Sequence, residues 1–394
     1  MIYLFIIVLL LILSFHYDIK GRKSYRNQWY DVMLVVFILL AGLRWRLGVD
    51  TPNYLERFYY DYPTLNNFSF NDFLIGADPL WVLLNSLVKS IGGRFYMVQL
   101  VQATIVNVLI FKYIKKHSRC LFTCLFFYFL ICYIDYNMEI MRGSISIAIC
   151  LFANDYIMEK KWIKGYLLYC LALCFHGQTI IIFFLPTLFF LRLNRTSIYY
   201  FIVAIIGGYF LQKSLGQYLD LLDMTDPLAD KVELYMNTDK YGAQTHNLNY
   251  MIVYIFPKLI YGLLSLWYVK KFFYNSKLLV LEPFILLGTI FLLFQMNSQI
   301  AYRYVDYYLL YLSMFLAEFL VGLTRKMKMP KGFAYVHAFV ILLPFIIFMS
   351  YIRISKSVRY YPYSSVIERS VDLEREFIYQ KNYNVISAPR KNEY

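Results

Sequence analysis

Apolar residues in this chain come in unbroken runs, without the spacing that would leave one face of an element polar. Twelve such runs, 13 to 20 residues long, follow one another: Met1–Phe15, Trp29–Leu43, Phe95–Ile114, Leu121–Tyr136, Ile140–Met158, Ile163–Phe175, Thr179–Leu191, Ile198–Leu211, Tyr250–Val269, Leu278–Met296, Val305–Leu323 and Phe333–Ser350. A helix that is apolar all round is buried in protein or lipid, and roughly twenty such residues cross a bilayer. A further run, Asp78–Ile91, is short, opens Asp-Pro and ends at Gly92-Gly93. The pattern predicts an all-α, polytopic integral membrane protein with about 12 transmembrane helices plus one re-entrant or interfacial helix. Met1–Phe15 has no basic stretch before it and no small-residue cleavage site after it, so it reads as a retained first span rather than a signal peptide.

The short loops carry basic clusters: Lys20/Arg22/Lys23/Arg26, Lys112/Lys115/Lys116/Arg119, Lys160/Lys161/Lys164, Arg192/Arg195, Lys270/Lys271/Lys277 and Arg325/Lys326/Lys328/Lys331. Basic loops stay cytoplasmic. One arrangement puts all six on that side, with the N-terminus outside and Asp78–Ile91 entering the membrane without crossing it. The expected organisation is a single membrane domain over 1–350 with outer loops 44–94 and 212–249, followed by an extracytoplasmic tail, 351–394. The irregular polar sequence then lies outside, which is where the chemistry is expected.

Composition agrees. The 394 residues are 60% hydrophobic and only 16% charged, against about 25% charged in a soluble domain. The net charge of +14 sits in the membrane-flanking clusters, so no nucleic-acid partner is expected; membrane lipid is. The six cysteines lie within or beside apolar runs, lack zinc spacing, and read as small buried hydrophobes. No P-loop, dinucleotide fingerprint or metal motif occurs, and no cofactor or metal is expected. The tyrosine and phenylalanine content suits interface belts and sugar stacking alike.

Four arginines stand out because they fall on the outer side, where the orientation rule disfavours them. Arg44 and Arg46 lie in Gly42-Leu-Arg44-Trp-Arg46-Leu-Gly48-Val-Asp50-Thr51-Pro-Asn-Tyr54. Arg142 opens a run in Glu139-Ile-Met-Arg142-Gly143-Ser144. Arg303 sits in Tyr302-Arg303-Tyr304-Val-Asp306. Each has a plainer reading: snorkelling for the first two, pairing with Glu139 for Arg142, pairing with Asp306 for Arg303. Together they form a candidate phosphate site, since the guanidinium fork matches phosphate oxygens. His176, between two short runs, and Asp50 are the candidate bases. Tyr54, Tyr302 and Tyr304 are candidate sugar platforms. A lipid-linked pyrophosphate fits such a site: it lies at the membrane surface and arrives already activated, where no nucleotide is supplied.

In order and spacing, Arg44 with Gly48-Val-Asp50-Thr51-Pro-Asn-Tyr54, Asp78-Pro79-Leu-Trp, Met141-Arg142-Gly143-Ser-Ile-Ser-Ile-Ala148, Phe175-His176, Tyr302-Arg303-Tyr304 and Tyr361-Pro362-Tyr363 resemble the EpsG-type branch of the Wzy-like polysaccharide polymerases. Members often carry Arg-Gln and Glu-Pro where this chain has Arg142-Gly143 and Asp78-Pro79. The resemblance implies a glycosyltransferase of the bacterial plasma membrane that polymerises repeat units of a capsule, O-antigen or exopolysaccharide. The glycan would pass from undecaprenyl pyrophosphate to a lipid-linked repeat unit, with a flippase and a chain-length regulator as pathway partners. The alternatives are a flippase for the lipid-linked oligosaccharide and a membrane acyltransferase.

Overall fold

The computed structural model describes residues 2–48, 50–69, 72, 78–189, 191–219, 248–296, 301–355, 357–370 and 372–377, of which 211–219, 352–355 and 357 for the backbone alone. Among these residues there are helices and turns, and the only β-type pairing is one isolated bridge between Arg44 and Ser365. Six helices are long and apolar enough to cross a membrane: α1 (Ile2–Ile19), α5 (Phe95–His117), α11 (Leu248–Phe272), α12 (Lys277–Gln295), α13 (Tyr302–Lys326) and α14 (Lys331–Ser355), the last by its stretch up to Tyr351. The chain is a multi-pass helical membrane protein.

The other six apolar runs are helical but short, polar or interrupted. α2 (Arg26–Gly42) has 17 residues. α6 (Leu121–Tyr133) widens into π-turns that continue to Glu139. α7 (Met141–Met158) carries Arg142, Asn154 and Asp155. α8 (Trp162–Phe175) has 14 residues, about 21 Å at 1.5 Å per residue. Thr179–Leu191 is not one helix: a single turn, α9 (Ile180–Phe183), gives way to the 3-10 turn Leu185–Leu188 around Pro186. α10 (Ser197–Leu219) leads to residues 220–247, so most of the expected outer loop 212–249 lies outside the described residues.

Representatives of all six basic clusters gather at one end of the bundle. Arg26 donates to the Arg119 carbonyl at 2.5 Å and pairs with Asp18 at 3.3 Å, whose own carbonyl accepts Arg325 at 2.9 Å. Lys116 and Lys161 share Glu159, at 3.5 and 2.7 Å. Lys270 bridges the Leu193 carbonyl and Glu282, which Arg192 also approaches at 3.9 Å, and Lys326 lies over the Phe272 ring. Since α2 starts at this basic end and α7 finishes there, Leu43–Thr51 and the start of α7 lie at the other end.

At that other end the described part of the tail is bonded to the segment after α2. Trp45 N–H donates to the Ser364 carbonyl at 2.8 Å, Val366 N–H to Leu43 at 2.9 Å and Gly48 N–H to Arg359 at 3.1 Å. Two short helices complete this end: α3 (Thr51–Tyr60) and α4 (Pro79–Ser90). The 12 residues of α4 rise about 18 Å, short of a ~30 Å hydrocarbon core. It packs against α8, Asp78 just before it pairs with Arg142 of α7, and Gly92-Gly93 leads on to α5. Gln102, seven residues into α5, donates to Ser144 of α7 at 2.9 Å. The start of α7 therefore lies roughly 10 Å below the near end of α5.

Candidate functional site

Four chain breaks meet around one cavity. α3 opens at Asp50-Thr51-Pro52, where proline suits a first helical turn, and the Thr51 hydroxyl donates to the Leu47 carbonyl at 2.6 Å. α4 opens at Asp78-Pro79 in the same way. α8 stops at His176, which is extended (φ −156°), and a 3-10 turn follows over Gly177–Thr179. That turn is pinned from inside: Thr179 Oγ1 lies 2.5 Å from Ser146 Oγ and 2.8 Å from the Tyr307 hydroxyl. The start of α13 supplies the fourth wall.

The cavity, counted with its open mouth, holds about 650 Å³, within the range of ligand pockets. Its polar lining is Asp50, Tyr54, Arg142, His176, Gln178, Tyr302, Arg303, Tyr304, Asp306 and Tyr307. Two guanidinium groups, two carboxylates, an imidazole and several phenol rings thus face one space about a third of the way down α5.

Asp78 organises one wall from behind the lining. One carboxylate oxygen pairs with Arg142 Nη1. The other accepts the Gly177 N–H at 2.8 Å and lies 3.8 Å from His176 Nδ1. Burial pushes this carboxyl up, but the His176 ring, Arg142 and the Gly177 N–H outweigh it, leaving Asp78 below the ordinary carboxylate range. The ionised pair is therefore kept at neutral pH and lost only as pH falls through that depressed value. His176 Nε2 lies 3.1 Å from Gln178 Oε1; with that oxygen as acceptor, Nε2 carries the proton. Tyr54 stands against Arg142, and burial raises its phenol well above the usual value with Arg142 opposing. Arg303 Nε donates to the Tyr302 hydroxyl at 3.0 Å.

The four outer arginines do not form one ring. Arg142 and Arg303 line the cavity with Asp50, Tyr54, His176 and Tyr304. Arg44 and Arg46 do not. Arg44 is fully buried and donates to the carbonyls of Ala41 at 2.6 Å and Leu47 at 3.3 Å, closing the turn after α2. Arg46 forms a bidentate pair with Glu376 of the tail, at 2.8 and 2.6 Å. Nor does Arg142 pair with Glu139, whose carboxylate accepts the Tyr360 hydroxyl instead. Breaking a buried pair costs about 3–5 kcal/mol. Arg46→Glu should accordingly release the tail and lower the melting temperature, and adding Glu376→Arg should recover much of the loss. Equal melting of the single and double variants would show that the pair holds nothing.

Asp78 and Gln178 have no assigned role in the sequence reading. Asp78 is the head of a run too short to cross, and an acid at such a helix start is the signal for it. Gln178 carries no signal of its own; only the break after α8 turns it inward. Tyr307 and Asp306 are likewise placed by the curl of the chain into α13.

A polar cavity in a bundle of apolar helices defines the class: a multi-pass membrane protein with one recessed polar site. The chain belongs to the EpsG family, whose model matches residues 27–365 and so covers every residue lining the cavity. EpsG is a family of Wzy-like polysaccharide polymerases. No curated protein and no solved structure matches the chain significantly.

Proposed function

We propose that the protein is a polysaccharide repeat-unit polymerase acting on the extracytoplasmic face of a bacterial plasma membrane. The donor is a glycan on polyprenyl pyrophosphate and the acceptor a hydroxyl of a second lipid-linked unit. The observation that carries this reading is the meeting of Arg142 and Arg303 in one recessed cavity with two candidate bases and a set of phenol rings. The arginines neutralise the departing pyrophosphate, an interaction worth most where water is scarce. Asp50 or His176 takes the acceptor proton, and Tyr54, Tyr302 and Tyr304 offer faces for sugar rings. The chain needs no cofactor for this, because the pyrophosphate bond brings the activation. A flippase would need a polar route through the whole thickness, and the polar residues lining this cavity come from the end of the bundle opposite the basic clusters.

The test is polymer length. A strain lacking the gene should accumulate single repeat units on the lipid carrier, and the restored gene should return long chains. Cysteine introduced at Ile367 should react with an impermeant thiol reagent from outside, and one at Lys161 should not, with native cysteines removed. Long polymer in the deleted strain would end the polymerase reading. Labelling of Lys161 alone would place the cavity on the cytoplasmic side.

A further inference from the structure

Asp78 touches the two groups on which the proposed chemistry depends. Its Oδ2 is held by Arg142, and its Oδ1 by the Gly177 N–H with His176 Nδ1 at 3.8 Å. That last distance is too long for a hydrogen bond. As it stands, the carboxylate is spent on Arg142, the imidazole has only Gln178 on Nε2, and Nδ1 has no hydrogen-bond partner despite being buried. With the Gln178 oxygen as acceptor, Nε2 carries the proton and offers no lone pair to a substrate hydroxyl. The arrangement changes when an anion competes for Arg142.

The geometry points to Asp78 as a positioning residue that couples the two: a pyrophosphate arriving at Arg142 draws the guanidinium off Asp78, the imidazole gives its Nε2 proton to water and takes one from water at Nδ1, and the freed carboxylate accepts that Nδ1–H, leaving the Nε2 lone pair exposed as the base. This rests on the polymerase reading and deepens it, choosing His176 over Asp50. In the step that follows, Nε2 takes the proton of the acceptor hydroxyl as its oxygen bonds to the sugar's anomeric carbon. The bond from that carbon to the pyrophosphate oxygen breaks, its electron pair leaves with the pyrophosphate, and Arg142 and Arg303 hold the charge. The imidazolium, stabilised by Asp78, later gives its proton to water. The base is thus switched on by a bound donor. The other charged and titratable groups lining the cavity with the imidazole are Asp50, Arg303 and Asp306 and the phenols of Tyr54, Tyr302, Tyr304 and Tyr307.

The experiment uses the full-length protein in liposomes, with lipid-linked repeat units extracted from a strain lacking the gene. Asp78→Asn keeps size and the bond to Gly177 but removes the charge. A histidine that loses a neighbouring carboxylate becomes less basic. The acid limb of the pH–rate profile should therefore move down by about one unit, and the plateau rate should fall about tenfold or more. A merely structural Asp78 would lower the amount of active protein and leave the limb in place. His176→Gln gives a second reading whatever the folding of Asp78→Asn: the limb should vanish, with a loss of about a hundredfold or more. A wild-type limb in either variant overturns the coupling while leaving the polymerase reading standing, provided the wild-type protein extends the units. If the wild-type protein extends none, the polymerase reading fails and the coupling with it.

Discussion

Replacing Arg142 with lysine is expected to stop chain growth while the protein remains in the membrane at its normal level. Lysine keeps the positive charge and one contact with Asp78, whose carboxylate is buried at 3% exposure, so the wall of the cavity is not left with an unpaired acid. What it loses is the planar fork that holds two phosphate oxygens at once. Removing one preorganised donor from the charge that develops in a transition state costs about a hundredfold to a thousandfold, enough to halt a process that must repeat for every unit added. Single repeat units should collect on the lipid carrier, read as the loss of the polymer ladder on a gel with unchanged immunoblot signal. Arg142→Ala should be worse in another way, because it strands Asp78 and lowers the protein level too. Normal polymer from Arg142→Lys would remove Arg142 from the phosphate site and leave Arg303 to carry it.

Gly48→Ala is expected to abolish folded protein, although Gly48 lines no part of the cavity. Its φ is +98°, in the region that favours glycine. A Cβ there would lie 2.2 Å from the Met138 carbonyl oxygen and 3.0 Å from its carbon. Both are backbone atoms at the end of α6 and cannot swing away. Moving them would disturb Glu139 and the start of α7, and with it Arg142. Moving the other side would shift Thr51 and Asp50, and the bond from Gly48 to Arg359 of the tail. Strain and overlap together should cost on the order of 3 kcal/mol or more. Gly92→Ala is the control: φ is +73° with nothing within 4 Å of the added carbon, so only backbone strain of about 1 kcal/mol is expected. Similar melting of the two purified variants would show that the close approach at Met138 is relieved by movement.

The arginines show why single residues were harder to place than helices. All four read alike in the sequence: basic side chains at the end that the loop charges mark as outer. Arg142 and Arg303 begin helices whose first turns open on the cavity. Arg44 and Arg46 fall in the turn after α2, where the nearest acceptors are carbonyls of that turn and a carboxylate more than three hundred residues away. Nothing in local spacing tells a guanidinium that caps a turn from one that waits for an anion.

The amino-acid sequence by itself determined the class of this protein and the end of the bundle that carries the basic clusters. Long apolar runs have one stable environment, and the basic clusters between them define one end, because burying apolar surface and keeping charge near water are local demands that each segment meets alone. Among the described residues, every expected run is helical or turn-like, including Asp78–Ile91, most of which forms the 12-residue α4. The structure decided which runs are long, regular helices and which, like Thr179–Leu191, break up. It also decided that Asp78 stands between Arg142 and His176, that Gln178 faces inward and that the tail takes Arg46. Those outcomes depend on side chains distant in sequence meeting across helix packing, where a buried charge must find its partner wherever the fold brings one.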